Sequence, residues 1–238
     1  MTVQPFLHIT PHEVLAETAE QLVSIPLKGG DLQQIRLIIP TSIDVLLDHP
    51  ATHKAFVQDE YMPYWAELWP AALMLGQAIA KQTWPPDRQV LEVGCGLGLS
   101  GLVALALGMK VVFSDYDVSA LNFSARNARL NGFDRFRLLP LDWRCPPENL
   151  KVDLMLAADV IYEARNIEPL VQLMTAVMRP RGECWLCDPD RPHRSMFQTA
   201  LTTQGFEFAT QPITLERPHQ PTVQGTIYRI RYPDKCTD

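Results

Sequence analysis

Residues 90–101 have the sequence Val-Leu-Glu-Val-Gly-Cys-Gly-Leu-Gly-Leu-Ser-Gly, an apolar run that passes directly into a cluster of glycines. The short apolar run predicts a buried strand, and the apolar segment 100–107 that follows the glycines predicts a helix. Glycines between a strand and a helix let the backbone turn sharply and approach a ligand. In a doubly wound sheet such a turn lies at the carboxyl ends of the strands, where ligands bind. The stretch therefore predicts an α/β fold with a ligand-binding loop.

The same alternation of strand and helix continues along the chain. We predict strands at 111–113, 136–139, 152–157 and 183–187, and helices at 117–131, about 169–178 and 193–204. The last two strand candidates, 206–210 and 226–231, have no helix between them and should pair antiparallel. We therefore expect a Rossmann-like sheet of seven strands in the order 3-2-1-4-5-7-6, with only strand 7 antiparallel and helices on both faces.

The first 60 residues have a different pattern. Apolar residues alternate over 23–27 and again over 35–39, on either side of Gly29-Gly30, which predicts a β-hairpin. A helix should run from about Trp69 to Lys81, with Pro70 at its first position. Residues 41–60 predict no clear element. We divide the chain into an N-terminal extension, 1–62, that packs on a main domain, 63–238.

Composition narrows the class of protein. The chain has 238 residues and a net charge of −6, which makes nucleic acid an improbable partner because phosphate contacts need basic residues. No apolar run approaches the roughly 20 residues of a membrane span, and the first residues lack a signal-peptide pattern. Five scattered cysteines predict a reducing, cytoplasmic setting. Cys184 and Cys187 lack a second ligand pair, so we expect a structural role and no metal site.

The glycine cluster allows two interpretations. Gly96-x-Gly98-x-x-Gly101 matches the dinucleotide fingerprint, with Asp115 19 residues after Gly96, so an NAD(P)-dependent oxidoreductase is an alternative. Glu92 and Gly94 extend the match to Glu-x-Gly-x-Gly-x-Gly, the first motif of class I methyltransferases. A carboxylate is unfavourable beside a pyrophosphate but suits the cationic methionine end of S-adenosylmethionine. A carboxylate at Asp115 can accept both ribose hydroxyls of either cofactor.

A further pair of residues favours an adenine nucleoside. Asp142 and Trp143 follow the predicted third strand of the sheet. An acid and an aromatic ring at that position can bracket adenine, through a hydrogen bond to the exocyclic amine and through ring contact. Taken with the preceding motifs, this pair favours S-adenosylmethionine as the cofactor.

Four segments resemble the family 16 methyltransferases, the seven-stranded protein-lysine methyltransferases and their bacterial relatives. They are Pro-Tyr-Trp-Ala-Glu-Leu-Trp-Pro-Ala-Ala-Leu at 63–73, the glycine loop, Leu-Asp-Trp at 141–143 and Ala-Asp-Val-Ile-Tyr at 158–162. The resemblance covers roughly residues 60–235. Asp-Pro-Asp-Arg-Pro at 188–192 is also similar to a segment of the electron-transfer-flavoprotein lysine methyltransferase branch, which usually has a glycine in place of Asp190.

The resemblance implies a role for particular residues. Seven positions correspond to the family's cofactor contacts: Trp69, Gly94, Cys95, Gly96, Asp115, Trp143 and Ala158. The motif arguments above add Glu92, Gly98 and Asp142. Asp159 and Tyr162 correspond to the family's Asp-x-x-Tyr motif at the mouth of the substrate pocket, and we expect them to be catalytic, with Asp159 orienting an incoming ammonium.

The sequence leaves several functions open. The leading hypothesis is methylation of a lysine in a protein substrate, with S-adenosylmethionine as donor. One alternative keeps the cofactor and takes a small amine or pyridine as acceptor. The others are the oxidoreductase and a non-catalytic methyltransferase fold that serves as a binding module.

Overall fold

The computed structural model describes residues 17–218 and 220–232. The N-terminal elements are β1 (Thr18–Pro26), β2 (Leu32–Pro40), α1 (Asp44–Leu47), α2 (Pro50–Asp59), a single 3-10 turn (Tyr64–Ala66) and α3 (Pro70–Ala80). They are followed by β3 (Gln89–Val93), α4 (Leu99–Ala106), β4 (Lys110–Asp115), α5 (Val118–Leu130), β5 (Phe136–Pro140) and β6 (Val152–Ala158). A second 3-10 turn (Ala164–Asn166), α6 (Ile167–Val177), β7 (Met178–Asp188), α7 (Arg194–Thr203), β8 (Glu207–Leu215) and β9 (Val223–Arg231) complete the described chain.

Seven strands form one sheet in the order β5-β4-β3-β6-β7-β9-β8. The pairs from β5 to β7 are parallel, and β9 runs antiparallel to both β7 and β8. Counted from β3, this is the order 3-2-1-4-5-7-6 with strand 7 antiparallel, so the prediction is confirmed. The physical reason is the predicted one, since a parallel neighbour needs a crossover connection and β8 reaches β9 without a helix.

The two faces of the sheet pack against different helices. Alternate residues of β3 divide between them, with Val90 in the core shared with α3 and α4, and Leu91 in the core shared with α6 and α7. Cys184 and Cys187 also lie in opposite cores, because residues three apart on a strand point to opposite faces. Both thiols are buried and free, and the sheet lies between them. Cys236 lies outside the described residues.

The N-terminal hairpin is confirmed as an antiparallel pair of strands, β1 and β2, that is separate from the large sheet. Its apolar face is buried in the core beside α3 and α4. Residues 41–60, for which the sequence predicted no element, form α1 and α2. Only Leu46, Thr52 and Ala55 of these two helices are buried, which explains why no periodic apolar pattern marks them. The domain boundary at 62/63 stays a prediction.

Two asparagines, one in α5 and one directly after its last residue, bind the free edge of the hairpin. The Asn127 side chain accepts a hydrogen bond from the Ile38 N–H (2.6 Å) and donates one to the Ile38 carbonyl (3.2 Å). Asn131, one helical turn later, makes the same pair of bonds with Arg36 (2.9 and 2.7 Å). Asn127 also donates to the Leu97 carbonyl of the glycine loop (3.0 Å). The two amides therefore act as a neighbouring strand would, and they connect the hairpin to the loop.

Replacing Asn127 should detach this edge. We expect Asn127→Ala to lower the free energy of unfolding by about 1–3 kcal/mol, because buried backbone groups of Ile38 and Leu97 lose their partner. Asn122 lies on the same helix but is exposed, so Asn122→Ala is the matched control. Urea unfolding followed by circular dichroism measures both. Equal stability of the two variants would contradict this role.

Candidate active site

A cavity of about 370 Å³ opens at the carboxyl ends of β3, β4 and β6, the edge at which doubly wound sheets bind ligands. The structure brings all twelve residues proposed from the sequence to its wall. They are Trp69, Glu92, Gly94, Cys95, Gly96, Gly98, Asp115, Asp142, Trp143, Ala158, Asp159 and Tyr162. Their individual roles stay predictions.

The glycine loop forms the floor of the cavity. Gly94, Gly96 and Gly98 have φ values of 57°, 51° and 84°, in the left-handed region that other residues rarely adopt. A Cβ atom on Gly96 would lie 3.2 Å from the carbonyl oxygen of Trp65, and one on Gly98 would lie 2.8 Å from the Cβ of Ser124. Packing against these neighbours therefore requires glycine at both positions, and Gly94, Gly96 and Gly98 line the cavity without side chains.

Glu92 is buried at the point where α4 begins. Its Oε2 accepts a hydrogen bond from the Gly101 N–H (3.0 Å), and burial raises the pKa of Glu92 to about 8. A Cβ on Gly101 would lie 2.6 Å from that oxygen and 2.4 Å from the Phe113 ring, so only glycine fits there. The helix N-terminus, where a pyrophosphate would bind, already faces a carboxylate. This arrangement weighs against a dinucleotide cofactor.

Asp115 lies at the end of β4 with its carboxylate directed at the loop. Its Oδ2 accepts from the Gly96 N–H (2.9 Å) and its Oδ1 from the Asp117 N–H (3.0 Å). Burial raises the pKa of Asp115 to about 6, and these bonds oppose that rise. Each oxygen has a further lone pair, so the carboxylate can still accept ribose hydroxyls.

Asp142 and Trp143 line the adjacent wall after β5. Burial raises the pKa of Asp142, but hydrogen bonds from Arg144 outweigh it and the net shift is downward. The Arg144 backbone N–H lies 2.9 Å from Oδ1, and its guanidinium bonds to both carboxylate oxygens. A Cβ on Gly94 would lie 3.5 Å from the Trp143 ring, so this ring borders the glycine loop.

Asp159 follows β6 and is paired with Arg191, a contact that the sequence analysis did not predict. The Arg191 Nε and Nη2 each lie 2.9 Å from a different oxygen of Asp159. The Asp159 side chain is only 5% exposed, and its backbone has a left-handed φ of 56°. The Arg191 guanidinium also lies over the Trp69 ring, 6.0 Å from its centre. The segment 188–192, which was noted only for its resemblance, supplies this cation.

Aromatic rings form the wall beside Asp159. Tyr64 contacts Trp69 and Tyr162 edge to face, with ring centres 6.0 and 5.5 Å apart. The Trp69 Nε1 donates to the Tyr64 carbonyl (2.7 Å), and burial raises the pKa of Tyr162. The sequence analysis missed Tyr64, although it lies in the segment 63–73 that carried the resemblance.

The end of α2 covers one side of the cavity. Asp59 forms ion pairs with Arg144 (3.4 Å) and Arg165 (3.8 Å), and Glu60 pairs with Arg165 (3.2 Å). The Tyr61 hydroxyl donates to Asp117, the residue that caps α5. Asp59 and Glu60 were also missed by the sequence analysis, because they come from the stretch 41–60, for which no element was predicted.

Residues 56–202 match the family model described as lysine methyltransferase, which covers more than half of the chain. The chain belongs to the lysine methyltransferase family. The resemblance seen in the sequence, and with it the methyltransferase class of the fold, is confirmed. The dinucleotide oxidoreductase is not favoured.

Individual relatives act on different residues. The chain is 30% identical to the mouse protein-lysine methyltransferase METTL21E over 151 residues, 57% of this chain and 62% of that protein. It is 28% identical to the Xenopus laevis histone-arginine methyltransferase METTL23 over 167 residues, 66% of this chain and 64% of that protein. The chain thus spans less than two thirds of the length of either relative.

Solved structures support the fold. The ribosomal protein L11 methylase from Lactobacillus delbrueckii superposes with a TM-score of 0.54, over 68% of this chain and 79% of that one, at 17% identity. Within residues 17–218 and 220–232, no helix is long and apolar enough to cross a membrane. The same ranges contain no group of three or more His, Cys, Asp or Glu residues arranged to hold a metal ion.

The raised pKa of Glu92 has a consequence for stability. An acid whose pKa rises on folding stabilises the protein below its unfolded pKa, about 4.3, and that contribution is lost as the pH rises through about 8. Glutamine does not titrate, and its carbonyl can still accept from Gly101. We therefore expect the Tm of Glu92→Gln, relative to the parent protein, to increase between pH 5 and pH 9. The increase should exceed the roughly 2–4 °C that corresponds to 1 kcal/mol in a chain of this size.

The control for this measurement is Glu207→Gln. Glu207 is exposed on β8, so the Tm offset of that variant should be the same at every pH. A Tm offset of Glu92→Gln that is also constant from pH 5 to pH 9 would show that Glu92 is not held at a raised pKa.

Proposed function

We propose that this protein is an S-adenosylmethionine-dependent methyltransferase that modifies a lysine side chain of a protein. The observation that carries the proposal is the composition of the single cavity described above. One end combines a bare glycine loop with Asp115, and the other combines Asp159 with a wall of tyrosines. Membership of the lysine methyltransferase family supports the same acceptor.

The residues present fit the cofactor. When bound, S-adenosylmethionine supplies an electrophilic methyl group on a positively charged sulfur. Asp115 would hold the ribose, and Asp142 with Trp143 would bracket the adenine. The backbone of Gly94 and Gly96, which lines the cavity, would border the nucleoside. Cys95, Gly98 and Ala158 would complete the wall, and Glu92 and Trp69 would face the methionine end.

The acceptor end can position an amine and exclude water. Asp159 would accept a hydrogen bond from the acceptor nitrogen, and Tyr162 and Tyr64 would enclose its aliphatic stem. Fixing the nitrogen in line with the methyl group can supply roughly 7–11 kcal/mol of barrier reduction. A lysine has an ordinary pKa of about 10.4, so the site must also favour its neutral form. The cytoplasmic location stays a prediction, in keeping with four free thiols among the described residues.

Calorimetry tests the cofactor. We expect the purified chain to bind S-adenosylmethionine and not NAD. Asp115→Ala should weaken that binding by about 1.5–3 kcal/mol, the value of hydrogen bonds to a charged group. Asp134→Ala, at an exposed acid near the start of β5, should leave the affinity unchanged. Tight NAD binding without S-adenosylmethionine binding would overturn the proposal.

Labelling tests the acceptor. The protein is incubated with methyl-labelled S-adenosylmethionine and a dialysed cell lysate, and label should enter a discrete protein band. Hydrolysis of that band should release methyl-lysine, whereas methyl-arginine or methyl-histidine would correct the acceptor residue. Asp159→Asn should abolish most of the label while S-adenosylmethionine affinity stays nearly the same, because the lost contact is with the acceptor.

A control lysate that keeps its small molecules completes the labelling experiment. Label confined to its low-molecular-weight fraction would favour the small amine or pyridine. Cofactor affinity that falls in parallel with transfer in Asp159→Asn would place Asp159 in the cofactor site instead.

A further inference from the structure

The pair of Asp159 and Arg191 raises a question about charge at the acceptor end. Asp159 lines the cavity, whereas Arg191 reaches it from the loop after β7 and is not part of the cavity wall. The two hydrogen bonds, each 2.9 Å, join the carboxylate and the guanidinium in a bidentate pair. The carboxylate therefore faces the cavity with its charge already compensated.

An uncompensated carboxylate would oppose the reaction. An opposite charge within about 4–6 Å raises the pKa of an amine by roughly 1–3 units, because it stabilises the protonated form. A lone Asp159 would therefore bind a lysine ammonium well but hold it protonated. Only the neutral amine has the lone pair that attacks. The site needs a hydrogen-bond acceptor without a net negative charge.

The other charged groups that follow β6 and β7 do not compensate the charge of Asp159 in place of Arg191. Beyond β6, Glu163 bonds to Arg165 (2.5 Å). Beyond β7, Asp190 forms an ion pair with Arg194 (3.4 Å). Asp188 is buried, accepts from the Arg191 backbone N–H (2.8 Å) and has its pKa raised by burial to about 6. None of these cations is bonded to Asp159 in the described residues.

The other elements around the cavity contribute acids and phenols. Glu92 and Asp115 lie at the ends of β3 and β4, and Tyr64 and Glu67 lie in the segment before α3. Tyr162 follows β6, and burial raises its pKa. Arg191 is thus the cation that the structure directs at the acceptor carboxylate, and its bond to Asp159 raises the pKa of the guanidinium further.

We propose that Arg191 is a positioning residue for methyl transfer, because its ion pair compensates the charge of the Asp159 carboxylate. Asp159 can then accept a hydrogen bond from the acceptor nitrogen without holding that nitrogen protonated. The remaining lone pairs of the carboxylate are available for this bond. Stacking on Trp69 and the bond from the Arg191 backbone to Asp188 keep the guanidinium in place.

The chemical step balances with these groups. The acceptor loses its proton to water and enters as a neutral amine. Its nitrogen lone pair forms the new bond to the methyl carbon, and the carbon–sulfur bond breaks with its electrons on sulfur. A neutral thioether and a methylated ammonium result. The product ammonium keeps its proton at neutral pH, so the one proton released per turnover is the one that the acceptor lost before its attack. Arg191 stays protonated throughout.

The pH dependence of methyl transfer tests the inference, which rests on the proposed function. The acceptor is the purified lysate protein that the parent enzyme labels, and kcat at saturating acceptor is measured from pH 6 to pH 10, because kcat reports the pKa of the bound amine. We expect Arg191→Met to shift the acidic side of the pH profile to a pH about 1–2 units higher, because an unpaired carboxylate beside the amine raises the pKa of that amine. Transfer should fall at least tenfold at pH 7 and approach the parent rate at pH 10.

Four further variants separate the outcomes. Arg194→Met removes a neighbouring arginine that does not contact Asp159, so the acidic side of its pH profile should match that of the parent enzyme. Asp159→Asn combined with Arg191→Met removes both charges. The acidic side of its pH profile should therefore lie near that of the parent enzyme, although its rate is low. Asp188→Asn removes any change in transfer near pH 6 that arises from the titration of Asp188. If Arg191→Met does not fold, Arg191→Lys keeps the charge and should lower kcat without shifting the acidic side of the profile.

Two results would overturn the inference in distinguishable ways. A loss of transfer in Arg191→Met by the same factor at every pH would show that Arg191 is only structural, while the proposed function stands. Absence of transfer to any protein by the parent enzyme would remove the proposed function and this inference with it. The S-adenosylmethionine affinity of each variant should equal that of the parent enzyme, whichever of these results is obtained.

Discussion

The hydrogen bond between the Glu92 carboxylate and the Gly101 N–H fixes the geometry on which the rest of the site depends. It joins the end of β3 to the first turn of α4, and it leaves room for no side chain at Gly101. The loop between these two points must then turn through left-handed glycines. That turn brings the Gly96 N–H to Asp115, which ties the end of β4 to the same loop. One buried acid thus sets the spacing of two strands and a helix.

The fold could be predicted from the sequence because its signals are local. Short apolar runs predicted the strands, and the helix predicted at 117–131 is α5, which Asp117 caps. The absence of a helix between the last two strand candidates predicted the antiparallel strand. The helices α1 and α2 were missed because they bury few side chains and so leave no periodic pattern. The sequence did not show which residues hold the hairpin. Asn127 and Asn131 do so, and nothing in the sequence distinguishes their amides from those of ordinary polar residues on a helix surface.

The two ends of the candidate site differed in the same way. The proposed cofactor end is built mostly from residues at or just after the ends of strands, so the order of the chain places them together at the cavity. The proposed acceptor end depends on a contact between segments distant in the sequence, since Arg191 reaches Asp159 from the loop after β7. A second contact of this kind joins Asp59, at the end of α2, to Arg144 beside Asp142. No spacing rule encodes an ion pair of this kind, so it becomes visible only in three dimensions.

These contacts give the cavity two electrostatic environments that suit the two reactants of the proposed function. At the proposed cofactor end, Glu92 and Asp115 are buried and form no ion pair with the residues that the structure describes, and desolvation raises their pKa values to about 8 and about 6. A ligand with positive charge at that end would relieve the cost of their ionisation, so burial of these acids would favour a sulfonium donor that also carries an amine. At the proposed acceptor end, Arg191 compensates the charge of Asp159, so this carboxylate would not hold the acceptor nitrogen in its charged form. The two environments would thus suit a cationic donor and an uncharged nitrogen, the combination that methyl transfer requires.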